Sequence, residues 1–306
     1  MFFKSHIGLR RSLAVILSVT SLITGCIRED LGNCPAQTAL QITVRSDESG
    51  GKFTPVEGAA VYLFDHNRRY ITQIPVSGRE IENNTPVNIP VSPLSKTWAV
   101  IWGNIKDNEN ITGLSEGKSI DEVILDLRKE DNGYAKAPDG LFYGIKQLSG
   151  KSAEEIIISP KTARIRLTAK GLSADTSVSG HYFTLESHYD GYAFSGAPHP
   201  ENIRIKMEGE FDGEHDLVTP EPYDIIHYPL DTRQGEEPHC VINLWRVATG
   251  GKDTLLTSAE KDSDGGLIIP RPGKTTNILI YFKNSGEIII TVVITDWNEV
   301  YQWNEW

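Results

Sequence analysis

KTARIRLTAK, residues 161–170, is the stretch whose reading decides the fold. Ala163, Ile165, Leu167 and Ala169 alternate with basic and hydroxyl residues. A period of two puts one set of side chains in a core and the other in water, which is a β-strand with one wet face. The same reading extends upstream through ALQITVR (39–45), VEGAAVYLFD (56–65), 70–75, 87–91, TWAVIWGN (97–104), LFYGI (141–145) and 155–159. Downstream it extends through 181–189, 202–209, 224–230, 239–248, 253–258, 266–269, 275–282 and 287–296.

Short strands separated by turn residues predict an all-β chain of sandwich type, and no strand–helix–strand rhythm of a nucleotide-binding fold is present. The 27 glycines and 16 prolines agree with many turns. Between Asn104 and Ala137 the polar, glycine-rich spacing predicts a long loop. Within it SIDEVILDL (119–127) places Ile120, Val123, Ile124 and Leu127 on one helical face, so a helix is expected there. Pro160 follows a complete set of strands, which puts a domain boundary at 159/160: one β-sandwich over 36–159 and a second over 160–306.

The N-terminus sets the compartment. Lys4, Arg10 and Arg11 precede an apolar run of about twelve residues, the length of a signal h-region and too short to span a bilayer. Ile23-Thr24-Gly25-Cys26 then reads as a lipobox, so residues 1–25 form the signal peptide, Cys26 is the lipid attachment site and 26–35 the tether. The plain alternative is an ordinary secretory signal with an incidental cysteine. Two or three acyl chains suffice for stable anchoring where one does not. Ile27 at the next position and the acidic Glu29-Asp30 point to the outer membrane and its exposed leaflet.

The formal charge of −11 becomes about −14 once the signal's three cations are gone. Such a surface excludes nucleic acid as a partner, because phosphate binding needs a basic face. Cys34 and Cys240 are then the remaining cysteines, in an oxidising compartment, and are candidates for a disulfide; two unpaired thiols are the alternative.

No catalytic or cofactor motif appears. His181, His188, His199, His215, His227 and His239 match no zinc spacing, and Asp262-Ser263-Asp264-Gly265-Gly266 lacks the ligands of a calcium loop and reads as a hairpin turn. The expectation is no enzyme, no metal and no cofactor. The C-terminus is richer: Trp297, Tyr301, Trp303 and Trp306 crowd the last ten residues. They form a candidate contact surface for a glycan or a protein, or else a segment that folds back and closes one end of a sandwich.

An ordered set of short motifs resembles one family. CIREDLGNCP (26–35), VYLFD (61–65), WGN (102–104), LFYG (141–144) and the closing Asp296-Trp297 are similar, in that order, to FimB-type fimbrial anchor lipoproteins. The resemblance implies two tandem transthyretin-like β-sandwiches. It also implies an anchor subunit that holds a surface fimbria to the outer membrane by its lipid, limits fibre length and meets the fimbrial shaft subunits by β-strand exchange. Cleavage at Arg28 or Arg45 would release such an anchor. A surface glycan-binding lipoprotein is the alternative reading.

Overall fold

A computed structural model describes residues 37–45, 55–90, 96–172, 180–228 and 240–303. The signal peptide and tether, including Cys26 and Cys34, lie outside them, as does Trp306. Residues 37–303 belong to one compact unit.

Up to Pro160 the strands are β1 (Gln37–Val44), β2 (Gly58–Phe64), β3 (Tyr70–Ser77), β4 (Val87–Pro90), β5 (Trp98–Gly103), β6 (Glu109–Thr112), β7 (Ile124–Leu127), β8 (Phe142–Gln147) and β9 (Ala153–Pro160). Beyond it come β10 (Ala163–Lys170), β11 (His181–Ser187), β12 (Gly191–Ala193), β13 (Pro198–His199), β14 (Ile203–Asp212), β15 (Leu217–Glu221) and β16 (Asp224–His227). The last four are β17 (Val241–Arg246), β18 (Thr254–Ala259), β19 (Lys274–Phe282) and β20 (Ile288–Asp296). Among the described residues the single α-helix is α1 (Gly78–Glu82), closed by a capping box in which Ser77 and Glu80 satisfy each other's backbone N–H. The fold is all-β, as the alternation predicts.

The strands form three sheets. The first runs β3-β2-β5-β8-β9-β1-β4, and the second runs β18-β17-β11-β14-β15-β10-β19-β20, with β16 also on β10. Within the first, β8 and β9 share only two pairs, Phe142–Pro160 and Tyr143–Ser159. The two parts of the sheet enclose a core of Leu40, Ile42, Val61, Leu63, Ile101, Ile156 and Ile158. The chain leaves this sheet at Pro160 and enters the second at Ala163.

The third sheet, β13-β12-β7-β6, mixes the two halves of the chain. β6 and β7 come from the first half and β12 and β13 from the second; Tyr192 pairs with Leu125 across the join. This sheet explains why VYLF and WAVIW are apolar on both faces. Val61, Leu63, Ala99 and Ile101 enter the first core, while Tyr62, Phe64, Val100 and Trp102 enter a second core shared with Leu125, Phe194, Leu185 and Ile278. The seam is aromatic: Tyr62 meets Phe194 edge-on at 4.8 Å between ring centroids, and Trp102 meets Tyr192 at 6.1 Å.

Two expectations are corrected. Residues 119–127 do not form a helix. Hydrogen-bonded turns at 119–123 lead into β7, where Leu125 and Leu127 are buried and Asp126 is partly exposed. The β-branched Val123-Ile124 pair and an open edge on β12 favour the period of two over the helical face. Nor do residues 266–269 form a strand; they make one isolated bridge, Lys261–Leu267, beyond the Asp262 turn. There the Asp262 carboxylate accepts the Gly266 N–H at 2.7 Å, which satisfies the turn internally.

Candidate functional site

Three features of the fold stand out among the described residues: the start of β1, the outer edge of β20, and the segment that follows β20.

β1 begins at Gln37, eleven residues after Cys26. It lies inside the first sheet, parallel to β9 over Ala39–Val44 and antiparallel to β4 over Gln37–Leu40. Leu40 and Ile42 are buried, and Thr38 Oγ1 donates to the Lys151 carbonyl at 3.0 Å. Whatever pulls on the N-terminus therefore pulls on a strand held from both sides. Arg45 is exposed at its far end, with its N–H on the Ile158 carbonyl at 2.9 Å.

β20 ends the second sheet and is built almost wholly of β-branched residues, IIITVVITD. Its inner side pairs with β19 along its full length. On the outer side, Ser263 closes the ladder at Ile290: the Ser263 N–H donates to the Ile290 carbonyl at 2.9 Å and the Ile290 N–H to Ser263 Oγ at 2.8 Å. Backbone groups alternate sides along a strand, so the Val292 and Ile294 N–H groups point outward as Ile290 does. Among the described residues no proline or lysine guards that edge, and Ile288 and Ile294 are exposed. An unguarded edge of this kind is a template for another strand.

Past β20 the chain turns back over the outer face of β10. Trp297 lies under the Arg164 guanidinium, 4.3 Å from the ring centroid, and its carbonyl accepts from Arg164 Nη1 at 2.7 Å. Two residues on, the Glu299 carbonyl accepts from Arg166 Nη1 at 3.0 Å. Arg166 is itself held by Asp224, 2.6 Å away. Beyond these, Tyr301 and Trp303 sit edge-to-face at 4.9 Å beside Thr168 and Lys170.

The aromatic cluster thus divides. Trp297 is 2% exposed and belongs to the interior, a correction to its place in the expected contact surface, because the Arg164 guanidinium lies over its ring and the buried Thr275 hydroxyl donates to its carbonyl at 3.1 Å. Tyr301 and Trp303 remain partly exposed and line a groove. Cys240 is fully buried, and its thiol is pushed up to about 12 by that burial. The Cys34–Cys240 bridge falls outside the described residues with Cys34.

The halves are also joined by charge. Asp190, His199 and Glu201 converge so that their ligand atoms all lie within 4.8 Å of one another. His199 Nδ1 stands 2.6 Å from Asp190 Oδ1, and the Lys129 ammonium hydrogen-bonds Glu201. Lys129 follows β7, so this group ties the first half to the β12–β13 hairpin. An ammonium already supplies the cation, which makes the cluster an ion-paired staple. Nearby Glu109 is buried with Oε2 unpartnered, and burial, reinforced by Asp139, pushes its carboxyl up to about 9. Sequence spacing carried no trace of either group, since both are assembled by the third sheet.

The short motifs now have physical reasons. Asn104 adopts φ 64°, and its side chain accepts the Glu57 N–H at 2.8 Å while donating to the Pro55 and Gly140 carbonyls. It fastens the entry to β2 onto the end of β5. Gly144 is required where β8 passes β9, because a Cβ there would stand 2.5 Å from the Ile157 carbonyl oxygen.

Residues 31–303 match the family of fimbrillin-A associated anchor proteins that includes Mfa2. The chain belongs to that family. It is 22% identical over 312 residues to the major fimbrium anchoring subunit FimB of Porphyromonas gingivalis, covering 95% of this chain and 96% of that protein. A second FimB from the same species is 21% identical over 310 residues, with 95% and 96% covered. The fold is similar to that of the fimbrial anchor protein Mfa2 from Porphyromonas gingivalis: TM-score 0.59 at 15% identity, covering 85% of this chain and 98% of that one.

Proposed function

We propose that this chain is an outer-membrane lipoprotein that anchors a cell-surface fimbria. The observation that carries the reading is the position of β1. The proposed lipid on Cys26 is eleven residues from a strand bonded on both sides within the first sheet. A load on the fibre would reach the lipid through that strand's ladders and through Leu40 and Ile42. Membership of an anchor family, and the likeness to FimB over nearly the whole chain, support the same role. Among the described residues no helix is long and apolar enough to cross a membrane.

The contact with a shaft subunit is proposed as strand addition along Thr291–Thr295 of β20. Main-chain hydrogen bonds would give affinity, and the alternate side chains Val292 and Ile294 register. Because β1 stays continuous with the tether, its own slot in the first sheet stays filled, and the edge open to a partner is elsewhere. The division into two sandwiches at 159/160 is part of the same proposal, supported by the change of sheet between Pro160 and Ala163. Replacement of Cys26 by alanine tests the role: protein and fibre should leave the membrane together.

A further inference from the structure

We infer that the outer face of the second sheet carries an oligosaccharide-binding groove, formed where β15 and β16 part from β10 and walled by the C-terminal segment. β10 pairs with β16 up to Arg166–Asp224 and with β15 from Ala169–Val218. Among the described residues Leu167 and Thr168, between these pairs, have no strand partner on that side, and the sheet opens. The groove there has a volume of about 790 Å³. Thr168, Lys170, Thr219, Tyr223, Tyr301 and Trp303 are among the residues that line it.

The chemistry of the lining selects the ligand. Tyr223 is 42% exposed, and Tyr301 and Trp303 present two ring planes at 83°. Flat aromatic faces take the C–H face of a sugar ring, while hydroxyl, amide and ammonium groups between them bond its hydroxyls. A donated strand does not fit, since only two residues of β10 are open there. A purely apolar side chain would leave the threonines unpaired. None of the lining residues is a carboxylate, although the chain's formal charge is −11. The groove therefore admits neutral and acidic sugars alike. This inference is independent of the anchoring role, because it concerns a face remote in sequence from β1 and makes no use of the lipid.

The test is affinity electrophoresis of the detergent-solubilised full chain in native gels containing dextran, as a neutral probe, or polygalacturonate, as an acidic one. Retardation by either, reduced at least tenfold in apparent affinity by Tyr223→Ala and by Trp303→Ala, is expected. Tyr223 is on an exposed loop, so its variant keeps the fold even if Trp303→Ala does not. Unretarded migration in both gels would overturn the inference. So would retardation that both variants retain, or retardation by polygalacturonate alone that disappears in salt and survives the aromatic substitutions.

Discussion

Arg164 and Trp297 are joined twice, by a guanidinium stacked 4.3 Å from the indole ring and by a 2.7 Å hydrogen bond from Nη1 to the tryptophan carbonyl. Through this pair the last part of the chain is fixed to the start of β10. Arg164→Met keeps the stem and removes both contacts. Stability should fall by about 1–2 kcal/mol in denaturant unfolding. The segment from 297 onward should become cleavable by chymotrypsin while the body resists. Unchanged cleavage would show that the segment is held by something else.

Gly191→Ala addresses the seam between the halves. A Cβ at this position would lie 1.9 Å from the Leu125 carbonyl oxygen, so β12 must move off β7. A loss of about 1–3 kcal/mol is expected, read as a lower thermal midpoint. Hydrogen exchange should quicken at Leu125 and Tyr192 in particular.

Glu109 makes stability depend on pH with a definite sign. Its folded pKa, about 9, lies above the ordinary carboxylate value. The folded state therefore holds a proton that the unfolded state releases above about pH 4.5. Stability from this group is full below that pH and is lost as pH rises towards 9, with a slope of up to about 1.4 kcal/mol per unit. Glu109→Gln should flatten unfolding free energy between pH 5 and 9 and stabilise the protein at pH 7. A steeper dependence in the variant would refute this origin. His227 acts in the opposite direction: fully buried, it is pushed down to about 4, so its contribution is lost as pH falls from 6.5 through 4.

Val292→Pro separates folding from assembly. The Val292 N–H points away from β19, so proline removes no bond of the β19–β20 ladder and blocks only the outer edge. The variant should fold and reach the membrane normally yet fail to co-purify with shaft subunits. Full co-purification would place the contact on another edge.

Much of the fold was readable because strand alternation is a local property. Lys161–Lys170 declares its inner face through Ala163, Ile165, Leu167 and Ala169, and all four are buried. What resisted reading was made by distant partners. Residues 124–127 look helical in isolation and become β7 because two strands flank them, β6 on one side and, from more than sixty residues later, β12 on the other. The two-residue β13 and the three-residue β12 are too short to carry a period at all. α1 did have a signal, the Ser77-x-x-Glu80 capping box, but five residues show no helical periodicity. The same limit applied to the surfaces. Crowded tryptophans marked the C-terminus, yet only the path of the chain across β10 decides that Trp297 is interior and Trp303 faces a groove.

The proposed attachment of protein and fibre through Cys26 is tested most directly in cells. Cells expressing the Cys26→Ala variant should be fractionated, with the chain and the shaft subunits followed by immunoblot in membrane and medium. Both should move from the membrane fraction to the medium, in fibres of otherwise normal composition. Retention of the variant in the outer membrane at wild-type level would contradict it.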